Sequence, residues 1–417
     1  MLTPIEFQRE LLDQTSKAID RTRVTDDRVE DAISVEVGHT PNEVIYRENK
    51  LVLRRYAPAP DADPNGVPIL LVYALINRPY ILDLQPDRSV INTLRRHGFP
   101  VYLIDWGEPS HLDAGLELRD YVDRYIHNCV IEATRDAGVS AIHLLGYCMG
   151  GTMACIYAAR NPDRVRTLGL LAAGLAFDET GGVLEQWGGG FTPEKLAATY
   201  GNVPADFLAG GFAMMDPVTN LVGKYARLYD HLEDEDFVEN FARMERWLAE
   251  GIDVPGAAYE EFVEEIYQRN ALASGTLTLD GDPVDLDRIR MPVAHIVGHY
   301  DHLIPPEAST AINESIPSTD VSVFDAPTGH IGLSVSSTSH EQLWPEVCAW
   351  FGARSDGAPD LERIDGIGGC YASRLAATGI TTVAALAEAE PASIANAVEV
   401  GESRAAQWIE VASDVAG

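Results

Sequence analysis

Residues 141–151 read AIHLLGYCMGG, an apolar run of strand length that ends in a Gly-x-Cys-x-Gly turn, and the helical sequence TMACIYAARNP follows. This order is typical of a nucleophile on a strained turn between a buried strand and a helix. Glycines flank such a position because small residues let the backbone fold that tightly. The alternative is a glycine-rich turn with an incidental cysteine. The pattern predicts Cys148 as a nucleophile and the backbone amide of Met149 as an oxyanion donor.

An acid and a base follow this candidate nucleophile in the chain. Residues 292–297 (PVAHIV) form another apolar run, and Asp301 lies just past its end. His330 follows 29 residues later, in the short segment PTGHIG. A single Asp or His could be structural, but the order nucleophile, acid, base at the ends of these elements is that of α/β-hydrolases. We therefore predict the catalytic triad Cys148, Asp301 and His330.

The alternation of apolar runs with helical patterns predicts an α/β fold. Between about 178 and 290 it gives way to glycines, aromatics and acidic helices, which we interpret as a cap inserted over the site. The full prediction is an N-terminal helix and edge strands at 1–66, an α/β-hydrolase domain at 67–352, and a small all-α segment at 361–417. Runs expected of strands buried on both faces occur at residues 68–74, 100–105, 141–145, 167–172 and 292–297.

The second oxyanion donor is expected in the turn after the first core strand. That strand is residues 68–74 (PILLVYA), and we predict the backbone amide of Ile76 as the partner of the Met149 amide. His299 and His302 flank the predicted acid. We interpret both as loop histidines that face solvent or the cap.

The charge balance restricts the partners of the protein. The chain has 31 Lys and Arg against 64 Asp and Glu, a formal net charge of −33, and only four of the basic residues are lysines. In about 1 M salt the Debye length falls to roughly 3 Å, so self-repulsion would be screened. Because the acid is spread along the whole chain, we favour a protein of a salt-rich cytoplasm over an ordinary acidic protein with an unusual tail. The same charge argues against nucleic acid as the main partner.

The sequence predicts no membrane span, cofactor site or metal site. No stretch approaches the roughly 20 apolar residues that a spanning helix needs, and MLTPIEFQRELLDQ at the N-terminus lacks the order of a signal peptide. We therefore expect a cytoplasmic protein. The five cysteines form no CxxC pair, and an odd number in such a chain favours free thiols. We interpret Cys155 and Cys348 as core residues.

A cysteine nucleophile suits acyl transfer to an alcohol. Transfer of an acyl group from a CoA thioester to an enzyme thiol is nearly isoenergetic, since one thioester replaces another. Attack by a substrate hydroxyl is then downhill. This chemistry requires that water is excluded, which the predicted cap could achieve.

Several motifs resemble those of polyhydroxyalkanoate synthases. They are VYALINRPYILDL at 72–84, YLIDWG at 102–107, the turn at 146–151 and GHIG at 329–332. Over about residues 40–352 the chain is similar to the class III catalytic subunit, called PhaC. The resemblance implies polymerisation of (R)-3-hydroxyacyl-CoA, commonly 3-hydroxybutyryl-CoA, into a polyester with release of CoA. The CoA thioester is then a substrate and not a cofactor.

The resemblance also implies roles for individual residues and partners. Cys148 would hold the growing chain as a thioester, and His330 would deprotonate it. Asp301 would orient His330 and help to activate the 3-hydroxyl of the next monomer. A separate PhaE-type second subunit, self-association as a dimer and a location on polyester granules are expected. Arg78 is a candidate contact for the phosphates of CoA, with an ion pair to Asp83 or another acid as an equal alternative.

Two other functions would use the same features differently. A thioesterase or esterase with this triad would release free hydroxyacid instead of polymer. If the protein were a non-catalytic, granule-associated scaffold, the loss of Cys148 would have no effect on polymer synthesis. The complete triad counts against the scaffold, and the cysteine with the family motifs counts against the hydrolase.

The C-terminal segment resembles a pair of helix-hairpin-helix units. The resemblance lies in LERIDGIG at 361–368, YASRL at 371–375 and GITTV at 379–383. Such units often grip nucleic-acid phosphates with the amides of their hairpins. Here three arginines stand against eight acidic residues, a net charge of 3 − 8 = −5, which opposes phosphate binding. We therefore favour a small docking module for a partner or granule protein over DNA binding, with a folded segment that binds nothing as a further alternative.

Overall fold

A computed structural model describes residues 36–416, apart from 64, 66, 179, 189, 191, 217–222, 356–360, 362–363, 365 and 381–382. The N-terminal helix expected within residues 1–66 therefore lies outside the described residues. The strands in the described part are β1 (Glu43–Glu48), β2 (Leu51–Tyr56), β3 (Ile69–Val72), β4 (Asp83–Gln85), β5 (Arg88–Ser89), β6 (Val101–Asp105), β7 (Ile142–Tyr147), β8 (Val165–Leu171), β9 (Asn202–Val203), β10 (Val254–Pro255), β11 (Thr278–Leu279), β12 (Asp282–Pro283), β13 (Val293–Gly298) and β14 (Val321–Ala326).

Eight of these strands form one sheet in the order β1-β2-β6-β3-β7-β8-β13-β14. The pairs β1–β2 and β2–β6 are antiparallel. The remaining neighbours in this order, from β6 through β3, β7, β8 and β13 to β14, are parallel. Every residue of β3, β7, β8 and β13 is buried, as expected for apolar runs covered on both faces. The edge strand β14 is only partly buried. Its mixed sequence VSVFDA did not stand out as a strand, and the sequence-based prediction missed it.

Helices cover the sheet and build the cap. α1 is capped by Ser89, whose hydroxyl accepts a hydrogen bond from the Asn92 amide, and His97 is the residue at its C-terminal end. The α-helices in the described part are α1 (Val90–Arg96), α2 (His127–Ala137), α3 (Met149–Arg160), α4 (Val183–Gly188), α5 (Pro193–Tyr200), α6 (Ala205–Met215), α7 (Lys224–Asp230), α8 (Glu235–Ala249), α9 (Gly256–Glu261), α10 (Pro306–Thr310), α11 (Gly332–Val335), α12 (Trp344–Ala353), α13 (Gly369–Ala377), α14 (Val383–Ala387), α15 (Pro391–Val398) and α16 (Glu402–Ala416).

Helices α4 to α9 lie in the chain between β8 and β13, within the segment predicted to form the cap. A π-helical segment, Phe262–Gln268, continues α9. Buried cap residues such as Leu208, Trp247 and Phe262 belong to the same apolar core as the sheet. The cap is thus packed onto the body, and its inner face is apolar.

The C-terminal helices α13 to α16 enclose a second, smaller core. Leu375, Ile394 and Trp408 are among its buried residues. None of the helices in the described ranges is long and apolar enough to cross a membrane.

Candidate active site

Cys148 lies on the turn between β7 and α3, with φ 55° and ψ −125°. A positive φ is uncommon for a residue with a side chain, so the turn is strained. The packing around it leaves no room for other residues: a Cβ at Gly146 would lie against the backbone of Gly150, and a Cβ at Gly150 would lie against the backbone of Val72. The flanking glycines are therefore required by close backbone contacts.

Hydrogen bonds fix the backbone of the nucleophile. The Cys148 N–H donates to the carbonyl of Leu171, at the end of β8, over 2.9 Å. The Cys148 carbonyl accepts from the Gly151 N–H over 2.8 Å. The turn is thus tied both to the neighbouring strand and to the first turn of α3, and these contacts hold the strained conformation.

Cys148 differs from the other cysteines whose side chains are described. It is only partly buried, whereas Cys129, Cys155 and Cys348 are buried. Burial raises the pKa of the Cys129 thiol, and raises the pKa of Cys155 and of Cys348 to about 12. Enclosed, protonated thiols are inert. The interpretation of Cys155 and Cys348 as core residues is confirmed.

Asp301 follows β13 and is 3% exposed. Its Oδ1 accepts hydrogen bonds from the backbone N–H groups of Leu303 at 3.0 Å and Ile304 at 2.9 Å. Its Oδ2 lies 2.7 Å from Nδ1 of His330. Both carboxylate oxygens are therefore engaged, one by the loop that positions the carboxylate and the other by the histidine.

His330 lies on the loop between β14 and α11. Its ring stacks on Tyr147, with centroids 5.4 Å apart, and the Tyr147 hydroxyl donates to the His330 carbonyl over 3.2 Å. Burial favours the neutral imidazole, but the charges of Asp301 and Cys148, together with hydrogen bonds to both, raise the pKa of His330 to about 10. His330 can therefore retain a proton taken from Cys148.

The three predicted triad residues thus come together at one edge of the sheet. β7, β13 and β14 are parallel, so their carboxyl ends bring Cys148, Asp301 and His330 to the same side. Sequence reasoning missed Tyr147, which orients His330 through its ring and hydroxyl. The only signal for it was its place immediately before the nucleophile.

An apolar cavity lies between the turn that carries Cys148 and the cap. It has about 690 Å³ of empty space, part of it open to solvent. Met149 and Ile76, the two predicted oxyanion residues, both line it. Burial and then the charge of Cys148 raise the pKa of Tyr267, which leaves a neutral hydroxyl in this lining. Most of the lining comes from the cap and includes Leu184, Phe207, Leu208, Phe212, Met215 and Phe262.

The side chains flanking the acid lie outside this arrangement. The ring of His299 is 63% exposed and lies 3.6 Å from Asp325. His302 is exposed, and its carbonyl accepts a hydrogen bond from Val183 at the start of α4. These positions agree with their interpretation as loop histidines facing solvent or the cap.

Arg78 forms an ion pair with Glu108. Asp83, the partner named first in the alternative from the sequence, is instead buried and accepts hydrogen bonds from the hydroxyls of Thr40 at 2.7 Å and Ser89 at 2.6 Å. Within the described ranges, no group of three or more His, Cys, Asp or Glu is arranged to hold a metal ion.

Family models match three parts of the chain. An alpha/beta hydrolase fold model matches residues 67–335, a model of the N-terminus of poly-beta-hydroxybutyrate polymerase (PhaC) matches 8–94, and a SAM-like helix-hairpin-helix tandem matches 358–414. The predictions of an α/β-hydrolase fold and of a C-terminal helix-hairpin-helix pair are confirmed.

Relatives of known function align over nearly the whole chain. The poly(3-hydroxyalkanoate) polymerase subunit PhaC of Haloferax mediterranei is 49% identical over 99% of both chains. That of Haloarcula marismortui is 47% identical over 97% of both. The PhaC subunit of Thiocystis violacea is 35% identical over 85% of this chain and 99% of its own. The chain therefore belongs to the family of poly(3-hydroxyalkanoate) polymerase subunits called PhaC.

Proposed function

We propose that this chain polymerises (R)-3-hydroxyacyl-CoA, with 3-hydroxybutyryl-CoA and similar short-chain monomers as its substrates, and holds the polyester on Cys148. The observation that carries the proposal is a cysteine on a strained turn, directly before Met149 in the lining of an apolar cavity, and beside a histidine whose Nδ1 lies 2.7 Å from a buried carboxylate. Family membership supplies the reaction class, and the site supplies groups for each step.

Acylation begins with transfer of the Cys148 proton to His330. The sulfur then attacks the thioester carbonyl, a new sulfur–carbon bond forms, and the bond to the sulfur of CoA breaks. The CoA thiolate leaves with the proton held on His330. The backbone amides of Met149 and Ile76 are proposed to stabilise the oxyanion, because Met149 begins α3 and both residues line the cavity.

Chain extension requires activation of the 3-hydroxyl of the next unit. Asp301 is almost fully buried, and its two oxygens already face two amides and His330. We propose that His330 takes the hydroxyl proton and that Asp301 acts through it by stabilising the imidazolium. The alkoxide oxygen attacks the Cys148 thioester, the ester forms, and the cysteine thiolate recovers its proton from His330.

The apolar lining explains why a cysteine is useful here. A thioester on Cys148 stays activated towards alcohols, and an apolar lining that disfavours water reduces the competing hydrolysis. The proposed reaction needs no cofactor, since the CoA thioester is its substrate. Arg78 is kept as a proposed contact for CoA phosphates, with its pairing to Glu108 as the competing role.

We infer that a PhaE-type second subunit, a second copy of the chain and the polyester granule are the partners. Support comes from the outer surface of the cap, where Tyr200, Met214 and Tyr225 are 49–55% exposed. Exposed large apolar side chains mark interaction surfaces when they form a contiguous patch, and these three lie on the successive cap helices α5, α6 and α7. The granule is therefore the proposed location.

The test is a reaction with purified protein and (R)-3-hydroxybutyryl-CoA in about 2 M potassium chloride, which screens the net charge of −33. Release of CoA and formation of insoluble polymer are both measured, with and without a PhaE-type subunit, and with Cys148→Ala as the control. We expect polymer from the wild type and none from the variant. CoA release with only soluble hydroxybutyrate would show a thioesterase and contradict the proposal.

A further inference from the structure

The helix-hairpin-helix tandem turns its first hairpin towards its own catalytic domain. This hairpin contains Gly366, Ile367 and Gly368 and precedes α13. A Cβ on Gly368 would lie 2.6 Å from the backbone carbonyl oxygen of Asp163. Asp163 belongs to the short 3-10 turn before β8, and α13 packs against that turn and against β8. The hairpin that would meet a phosphate in a nucleic-acid-binding unit is therefore in contact with protein.

The second hairpin carries an acidic residue where a glycine would favour phosphate contact. Glu399 ends α15 with φ 55° and ψ 48°. Its carboxylate accepts from Nη1 of Arg290 at 2.8 Å and lies 3.4 Å from Nη1 of Arg374. Arg290 is in the catalytic domain, three residues before β13. This ion pair thus joins the second hairpin to the same side of the sheet.

The arginines of the tandem whose side chains are described, the partly buried Arg374 and the exposed Arg404, both contact other groups of the same unit. Arg374 also donates to the carbonyl of Val398 over 3.2 Å. The Arg404 guanidinium lies over the rings of Tyr371 and Trp408, with its carbon 5.4 and 5.1 Å from their centroids. These cations stabilise the fold of the tandem and the position of Glu399, and they do not form a basic surface.

We propose that the helix-hairpin-helix tandem is an intramolecular docking module whose partner is the amino-terminal edge of its own catalytic sheet. The first hairpin seats against Asp163, and Glu399 pairs with Arg290 across the same interface. The amino ends of β8 and β13 are thereby covered. The carboxyl ends of the strands, which carry Cys148 and the loop of His330, stay free for the cap and for substrate.

The first test uses two hairpin glycines as a matched pair in the full-length protein. Gly368 has φ −83° and ψ 172°, which any residue adopts, so Gly368→Ala strains only the contact with Asp163. A Cβ at Gly401, in the second hairpin, meets nothing within 4 Å. Hydrogen–deuterium exchange is measured in about 2 M potassium chloride over peptides covering 162–171 and 369–377.

We expect Gly368→Ala to speed exchange on both sides of the interface by roughly tenfold, because an overpacked contact opens more often. Gly401→Ala should leave these peptides unchanged. Unchanged exchange at 162–171 in Gly368→Ala would overturn the proposal. Faster exchange confined to 369–377 would also overturn it, because it would show a defect within the tandem alone.

The ion pair gives a second, independent test. Glu399→Arg would place a third cation beside Arg290 and Arg374, and Arg290→Glu would place a second acid beside Glu399. Because like charges repel, each variant should speed hydrogen–deuterium exchange at residues 162–171. The measurement is made in about 0.2 M salt, where screening is weaker. The double variant Arg290→Glu with Glu399→Arg should restore part of the protection. If the double variant is no better protected than the sum of the single changes predicts, the proposed contact between the two residues is wrong.

Nucleic-acid binding is the competing outcome. Binding of a fluorescent double-stranded DNA of about 20 base pairs is followed by anisotropy in about 0.2 M potassium chloride, where phosphate contacts are strong. We expect no binding by the wild type. Salt-sensitive binding that Gly368→Ala and Gly401→Ala both weaken would show that the hairpins are free to hold phosphate, and it would overturn the docking proposal.

Discussion

The catalytic body and the cap above it use apolar residues in different ways. In the body, the central strands are buried along their whole length, and the glycines around Cys148 lie against other backbone atoms. In the cap, helices such as α6 bury one side and leave Met214 exposed on the other. The body therefore fixes the reacting groups, whereas the cap provides an adaptable apolar surface for substrate and partners. Substitutions should be costly to chemistry in the body and alter selectivity in the cap.

The largest expected effect follows from Cys148→Ala. Removing the nucleophile should lower the rate of CoA release by at least about 10⁴-fold, as the loss of a triad nucleophile does elsewhere. Cys155→Ala is the matched control, since Cys155 is fully buried in α3 behind the turn. It should cost stability and leave most of the activity. Equal losses in both variants would mean that the turn, and not the thiol, had been damaged; circular dichroism would establish whether both are folded.

Asp301→Asn should reduce polymer synthesis by about 10²- to 10⁴-fold, since the histidine loses its charged partner. The charge of Asp301 raises the pKa of His330, so its removal should lower that pKa. The imidazolium will then lose its proton at a lower pH, and the alkaline limit of the pH–rate profile should move down. Asp325→Asn, next to the exposed His299, is the control and should leave the profile in place.

Single-turnover measurements sharpen this prediction. Acylation of Cys148 by one equivalent of substrate and extension in excess substrate are timed separately in Asp301→Asn. Both steps should slow if Asp301 acts through His330. Normal rates of both steps would refute a role for Asp301, and a defect in extension alone would favour direct contact between Asp301 and the 3-hydroxyl.

The sequence was informative wherever local patterns determine structure. The buried strands appear as continuous apolar runs, and the turn at Cys148 needs glycines at fixed spacings. The edge strand β14 was missed because it is partly exposed and its sequence is mixed. The stacking of Tyr147 on His330 joins residues 183 positions apart, and the contact of Gly368 with Asp163 joins two domains. No local sequence pattern predicts such contacts, because they depend on how elements distant in the chain pack together.

Replacing one glycine by alanine in the body and one in the cap compares how tightly the two regions are packed. Gly150→Ala should destabilise the protein by at least about 1–3 kcal/mol, because its Cβ would enter the backbone of Val72. Gly210→Ala, within α6 of the cap, meets nothing within 4 Å and should stabilise the helix by about 0.5–1 kcal/mol. Thermal unfolding of both variants at one fixed salt concentration measures the difference. A stable, active Gly150→Ala enzyme would contradict the packing described for the turn.

The smallest expected effect is a change of selectivity in the cap. Phe212 lines the cavity from α6, so Phe212→Ala should enlarge the space for the monomer side chain. The ratio of kcat/KM for 3-hydroxyhexanoyl-CoA to that for 3-hydroxybutyryl-CoA should rise by about tenfold, the scale set by a few methylene contacts in an apolar pocket.

Tyr225→Ala separates this cavity effect from a general weakening of the cap. Tyr225 is 49% exposed on α7 and is not part of the cavity lining, so its removal should leave the kcat/KM ratio unchanged. A PhaE-type subunit, if it binds the outer surface of the cap, should bind this variant less tightly. A shift in monomer preference with Tyr225→Ala as large as that with Phe212→Ala would mean that selectivity depends on the stability of the cap as a whole. The division between a rigid body for chemistry and an apolar cavity for selection would then not hold.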